Sequence, residues 1–352
     1  MALSEKQIQQ IQEILQKSEK PLFFFDDDPD GLSSFLLLYR WIKKGTGIVV
    51  KSSPKLDEKY LPKVEECQPD VIVILDKPMV DQNFIDKIQQ LCAATIIWID
   101  HHPPQKNTGV LYYNPRVAED SDNRPTNYWC WQVVKEHNPK DMWIAMAGCI
   151  GDWFLPEFTA DFCTAYPKLM KAPVATVQEA LYETKIGKVT RVLSFIQKGP
   201  TKKTMNCIKI LTRVTGPDDF LEQKTNQGKY LWKWFSEVNG AYEALKKSVS
   251  DTDEEILLFT YTEDKMSFTS DLSNELLYKY PKKTILICRQ KGLEMKCSIR
   301  DTNKILPPAI NKSLAGLTGY GGGHDHACGI CVNIDDFTVF LERLKKELAH
   351  QN

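Results

Sequence analysis

Four short stretches of this chain bring together side chains that can hold cations. They are Asp26-Asp27-Asp28-Pro29-Asp30-Gly31, the lone Asp76, Asp100-His101-His102-Pro103, and Gly151-Asp152. Taken singly, each has an ordinary explanation: Asp-x-Asp-Gly makes turns, and an aspartate after a strand caps the next helix. Gathered in one crevice, the same carboxylates would repel one another and resist ionisation. Divalent cations among them remove that repulsion, because the bound ion becomes the largest local charge. Aspartates mixed with imidazoles suit Mn²⁺ better than Mg²⁺, which prefers oxygen ligands and keeps its waters. Two such ions sharing a carboxylate would activate a water and clamp a phosphoryl group for in-line attack. The chemistry this predicts is metal-assisted phosphoester hydrolysis.

The elements needed to gather these residues are present. Residues 22–25, 48–50, 71–75 and 95–99 are brief apolar runs rich in β-branched and aromatic side chains, the pattern of strands buried on both faces. Residues 33–44 and 81–91 between them read as helices, and an opening helix follows Ser4 and Gln7, spaced as a capping box. Strand and helix in alternation predict a parallel α/β sheet, in which ligands collect beyond the carboxyl ends of the strands. Three of the four strands end at the motifs above, and Asp152 follows a helical run over 143–150. Asn114, Pro115 and Arg116 stand where they can shape the wall of the same cleft.

From about Ala160 to Ser250 the pattern is helical. After a polar break at 250–253 a second α/β portion begins, with strands over 255–261, 284–288, 293–300 and 327–332 and helices over 271–280 and 337–349. A glycine run at 319–323 reads as a loop. The expected division is therefore 1–195, a helical linker 196–250, and a smaller mixed α/β domain 251–352. With 352 residues, 42% hydrophobic and 26% charged, the chain is neither disordered nor low in complexity. Its net charge of −1 excludes a wholly basic nucleic-acid coat. No apolar run approaches the ~18 residues of a membrane helix. The first residues lack a signal-peptide core, and ten scattered cysteines read as reduced thiols, so a cytoplasmic location is expected.

Asp28-Pro29-Asp30-Gly31, Asp76, Asp100-His101-His102 and Gly151-Asp152, in that order, resemble the four motifs of the DHH phosphoesterase superfamily. The second half is similar to the DHH-associated C-terminal domain, through Gly321-Gly322-Gly323-His324 and Ser298-Ile299-Arg300. The two-part layout resembles RecJ-type exonucleases and short-oligonucleotide nucleases. The resemblance implies a Rossmann-like parallel-sheet domain, two Mn²⁺ ions with Mg²⁺ as the substitute, and metal ligands at Asp28, Asp30, Asp76, His101 and Asp152, with Asp76 bridging. It gives His102 a metal or phosphate contact and makes Asp100 the group that orients an imidazole. One departure is Asp26, which stands where the family carries a histidine and is expected to serve as an oxygen ligand instead.

The glycine run can present backbone N–H groups to an anion, and Arg300, Ser298 and His324 can assist it, so Gly321, Gly322 and Gly323 with these three are the expected substrate-binding set. Lys185, Lys188, Arg191, Lys198, Lys202, Lys203, Lys209 and Arg213 form a segment without one acidic residue, which favours a polyanionic substrate. Phe195, Tyr230, Trp232 and Trp234 are candidates for stacking on bases, against the plainer reading of a solvated helix face over a core. The expected activity is removal of mononucleotides from an end of single-stranded DNA or RNA. The alternatives are an oligoribonuclease or dinucleotide phosphodiesterase, and an inactive scaffold among replication or repair proteins.

Overall fold

Leu22, Phe23, Phe24 and Phe25 are sealed from solvent on both faces and form the middle of β1 (Pro21–Asp26). In the computed structural model, which describes residues 3–51, 55–262 and 266–351, β1 pairs in parallel with β2 (Thr46–Val50) on one side. On the other side it pairs with a strand that follows a small two-stranded ribbon partner, β3 (Lys55–Leu56). That neighbour is β4 (Val71–Leu75), after which come β5 (Met79–Val80), β6 (Thr95–Ile99) and β7 (Leu111–Tyr113). The main sheet runs β2-β1-β4-β6-β7, all parallel, while β3 pairs with β5. The chain leaves β1 toward β2 and returns to the far side at β4, so the strand order reverses between β1 and β4. An open α/β sheet has its ligand crevice at such a reversal, outside the carboxyl ends.

One face of the sheet buries Leu22, Phe24, Ile72, Ile74 and Trp98 against Phe84, Ile85 and Ile88 of the helix Gln82–Leu91. On the other face Phe25 stacks on Phe35 of the helix Pro29–Ile42 at 4.6 Å, and Phe23 meets the same ring edge-on at 5.5 Å. Burying each such side chain contributes about 1.5–3 kcal/mol. The helix expected over 33–44 starts earlier, at Pro29, because Asp28 caps it and proline is favoured in a first turn. It stops at Ile42, where Lys43 turns left-handed at φ 55°. Arg40 on this helix donates twice to Asp141, at 2.6 and 2.7 Å, and to the carbonyls of Leu211 and Val214, which ties it to the rest of the helical layer.

The chain divides into two units between Phe235 and Ser236, inside the helix Asn226–Ser248. The second unit has a mixed sheet ordered β11-β12-β10-β9-β8, formed by β8 (Ile256–Thr262), β9 (Thr284–Lys291), β10 (Glu294–Arg300), β11 (Gly319–His324) and β12 (Ala327–Asn333). Only the β8–β9 pairing is parallel among these. The helices Leu306–Leu314 and Phe337–Ala349 close its core around Ile299, Ile310, Ile330 and Phe340. The glycine run, expected as a loop, is the edge strand β11, with Gly321 opposite Ile330 and Gly322 opposite Gly329. Bare backbone lets it lie close on β12: a Cβ at Gly323, φ +146°, would sit 2.5 Å from the carbonyl oxygen of Ala327. No helix of the described residues is long and apolar enough to cross a membrane.

Candidate metal centre

The first motif is built around a close approach. A Cβ on Gly31 would fall 2.6 Å from the amide nitrogen and 2.7 Å from the carbonyl oxygen of Asp26, so only glycine lets this helix turn rest against the strand end. Asp28 caps the helix by accepting from the Gly31 amide at 2.9 Å. Asp30, two residues into the helix, is buried, and accepts from the backbone amides of Thr126 at 2.8 Å and Asn127 at 2.6 Å. These amides open the helix Thr126–Val134, whose unpaired N–H groups are natural partners for an anion.

Asp76 leaves β4 in the left-handed region at φ 57°, a conformation that aspartate tolerates better than most residues and that recurs at functional turns. Its amide donates to the carbonyl of Ile99, which places it beside the third motif. His101 Nε2 then lies 3.5 Å from Asp76, 3.7 Å from Asp152 and 3.8 Å from Asp30. Asp152 arrives from the C-terminal end of the helix Met142–Gly151, where Gly151 permits close packing on Pro29. Three overlapping sets of ligand atoms result, each within 4.8 Å: Asp30, His101 and Asp152; Asp76, His101 and His102; Asp26, Asp28 and Asp76. All six residues expected as metal ligands, with His102, are therefore in one place.

Asp100 is not in these sets. It is fully buried and accepts from His102 Nδ1 at 2.8 Å and from the His102 amide at 3.2 Å. Asn114 donates to Asp100, to the His102 carbonyl at 2.9 Å and to the Tyr112 hydroxyl at 2.7 Å, which locks the turn. With Nδ1 carrying a proton to Asp100, the opposite ring nitrogen of His102 is set by that bond, as in carboxylate–histidine pairs that orient metal or phosphate contacts.

The electrostatics agree with a centre made for cations. Burial, and then the charges of neighbouring carboxylates, push Asp30, Asp76 and Asp152 well above the usual carboxylate range. Burial and the Asp28 charge push Asp26 up to about 7, against the pull of Lys77. Burial pulls His102 down, but the hydrogen bond and charge of Asp100 outweigh it and the imidazole is raised. Carboxylates crowded together and buried hold protons; a divalent ion would displace those protons, so this donor set fits one.

Lys77 is a feature the sequence does not announce. A lysine after a strand-end aspartate reads as solvent-facing, yet this side chain is fully buried and donates to Asp26 at 2.9 Å. The amides of Thr126 and Asn127, and Gln197, which donates to the Asp28 carbonyl at 2.8 Å, were equally hidden, since backbone donors and long-range contacts leave no motif.

The remaining expected residues belong to the second unit. Arg300 donates to Asn274 at 2.6 Å, to Ser270 at 3.0 Å and to the carbonyls of Ile299 and Cys328. Ser298 is buried on β10, opposite Gly329 of β12. Gly321, Gly322, Gly323 and His324 line the exposed edge strand, in which successive amides alternate in direction instead of converging on one anion. In the first unit Phe195, a candidate for base stacking, is 1% exposed and belongs to the core. Trp232 and Trp234 carry Lys188 and Lys203 over their rings, at 4.8 and 4.0 Å.

Comparison with known proteins turns on the fold. Neither protein-family models nor curated protein sequences match the chain. Among solved structures, exonuclease RecJ bound to manganese aligns over 99% of this chain and 96% of its own, with TM-score 0.64 and 14% identity. This chain has the RecJ fold. The DHH domain of a member of a ribosomal-protein family aligns over 97% and 89%, with TM-score 0.68 and 14% identity. A pGpG-specific phosphodiesterase from Vibrio cholerae aligns over 95% and 100%, with TM-score 0.54 and 12% identity. CDC45 from Entamoeba histolytica aligns over 98% of each chain, with TM-score 0.50 and 8% identity. The two-domain α/β architecture is thus the one shared by RecJ and DHH-domain proteins.

Proposed function

We propose that the chain is a DHH-type phosphodiesterase, dependent on Mn²⁺, that hydrolyses single-stranded nucleic acid from an end and releases mononucleotides. The observation that carries this reading is the meeting of Asp30, Asp76, His101 and Asp152 from two strand ends and two helix ends, with Asp76 common to two ligand sets. Asp30, His101, Asp152 and Asp76 would hold one ion, and Asp26, Asp28 and Asp76 the other. Bound there, the ions would supply Lewis acidity toward the scissile phosphoryl group and toward an attacking water.

The chain's own groups do the rest. The amides of Thr126 and Asn127 keep Asp30 in place and favour its ionised form. Asp100 fixes the His102 tautomer and favours the imidazolium, which is suited to donate to a phosphoryl oxygen. A polyanionic substrate is supported by the exposed Lys185, Lys188, Lys202, Lys203, Lys209 and Arg213, all in a segment free of acids. Arg300 is the second unit's candidate for holding a substrate phosphate.

Single-stranded DNA and RNA ladders labelled at either end, incubated with Mn²⁺ or Mg²⁺, test the proposal. Mononucleotides appearing from one labelled end, with circular single strands left intact, support it; circular strands cut as fast as linear ones refute it. The likeness to a pGpG-specific phosphodiesterase favours one second reading, a dinucleotide or short-oligonucleotide substrate. Turnover that peaks at two to five nucleotides and vanishes on longer strands selects that reading. No product with any ion would select a non-catalytic scaffold.

A further inference from the structure

Lys77 has no part in the reading above, although it sits at the floor of the centre. It directly follows Asp76, the carboxylate shared by two ligand sets, and its side chain is 0% exposed. Its carbonyl accepts from the Trp98 indole at 3.0 Å, which anchors the residue to β6 from behind. Its ammonium lies 2.9 Å from Oδ1 of Asp26. That same oxygen accepts from the Asp27 amide at 2.9 Å, so Asp26 is oriented from two directions.

Among the described residues, Asp26 belongs to the Asp26, Asp28 and Asp76 set and to no other. A fixed ammonium therefore lies against one of the three ligand sets, while no lysine or arginine is paired with Asp30 or Asp152 in the ion pairs described. A cation entering the first kind of site meets only carboxylate and imidazole. A cation entering the second must approach a positive charge that already neutralises one of its ligands, and like charges a few Å apart inside a protein repel strongly.

We propose that Lys77 is a positioning residue that acts as a resident cation of the metal centre, holding Asp26 and making the two ion sites unequal. The site built on Asp30, His101 and Asp152 fills first, and the Asp26, Asp28 and Asp76 site fills only at higher ion concentration. This rests on the dinuclear reading given above. It follows that the second ion is the exchangeable one, and that Lys77 stabilises the ion-free state by offsetting the crowded carboxylates.

Titration of the full-length protein with Mn²⁺, followed by electron paramagnetic resonance of the free ion, tests this without assaying turnover. The wild-type protein is expected to bind two ions, the second at least tenfold more weakly. Lys77→Met is expected to tighten the second ion at least tenfold, to leave the first nearly unchanged, and to lower the melting temperature in EDTA. Two equal sites in the wild-type protein, or a second site in Lys77→Met that is unchanged or weaker, overturns the proposal. Should Lys77→Met fail to fold, the inequality of the wild-type sites still decides it. The Asp26→Asn/Lys77→Met pair, which removes both charges together, is then expected to regain stability in EDTA. Absence of any bound Mn²⁺ in the wild-type protein would instead overturn the dinuclear reading itself.

Discussion

Asp76→Asn separates a metal centre from a merely polar crevice, because its effect should change sign with the ion. Asparagine tolerates the left-handed backbone that Asp76 adopts at φ 57°, so the turn itself is kept. In EDTA the substitution removes one negative charge from a group whose ligand atoms lie within 4.8 Å of one another. Two full charges at that spacing repel by about 3 kcal/mol at an effective dielectric constant near 20. Burial and the neighbouring carboxylates push Asp76 well above the ordinary carboxylate range, which reduces the relief below that figure. The chelated variant should thus melt at or slightly above the wild-type temperature. In Mn²⁺ at about 100 times its dissociation constant, the wild-type protein should gain about 2.7 kcal/mol. For a unit of this size that is a rise of about 5–10 °C. The variant lacks the shared carboxylate and should gain less than about 1 kcal/mol, with turnover abolished. Differential scanning fluorimetry in EDTA and in Mn²⁺ reads both signs. A variant that keeps the full Mn²⁺ shift, or one that is already destabilised in EDTA, would refute the shared-ligand argument.

Other outcomes follow from the same geometry. In EDTA, stability should fall as pH rises from about 4 to about 7, because Asp26 titrates near 7 when folded but near 3.8 when unfolded, so the folded state loses its extra proton across that window. Mn²⁺ should flatten this dependence, and melting curves across the pH range check it. Gly31→Ala pushes a Cβ into the Asp26 backbone at 2.6 Å and should cost about 1–3 kcal/mol, read by urea unfolding of the chelated protein. Asp100→Asn removes the charge that helps to raise His102 and leaves only a neutral acceptor, so the imidazole should drop toward its usual 6.5 in an NMR titration; an unmoved value would contradict the tautomer argument. Arg300→Ala should weaken binding of single strands, measured by fluorescence anisotropy, and loosen the second unit by about 1–3 kcal/mol through its lost bonds to Asn274 and Ser270. A loss confined to turnover, with binding intact, would argue against an anchoring role.

The parallel sheet was legible because its strands are short, apolar on both faces and separated by amphipathic helices; 71–75 and 95–99 coincide with β4 and β6 to the residue. The acidic motifs were legible for a related reason, since strand ends in such a sheet have a known destination. What was illegible is what depends on other parts of the chain. The strand β7 is three residues long and too short to carry a period, yet it supplies Tyr112 and leads into Asn114, which brace Asp100. Glycines in a row signal a loop when read locally, but opposite β12 they form an edge strand, because pairing is decided by a partner and not by propensity.

Lys77 shows where that boundary lies. Its charge is visible in the sequence, but its burial is not, because burial of a lysine is tolerated only against a partner that must itself be placed by folding. That partner, Asp26, lies 51 positions earlier, at the end of the neighbouring strand β1. The Asp26 carboxylate and the buried cation therefore account for each other. An additional carboxylate at position 26 would worsen the repulsion around Asp28 and Asp76, and an ammonium at position 77 offsets it before any ion is bound. Neither residue would be tolerated well alone: Asp26 without Lys77 adds an uncompensated charge to the crevice, and Lys77 without Asp26 loses the carboxylate that its buried ammonium is paired with.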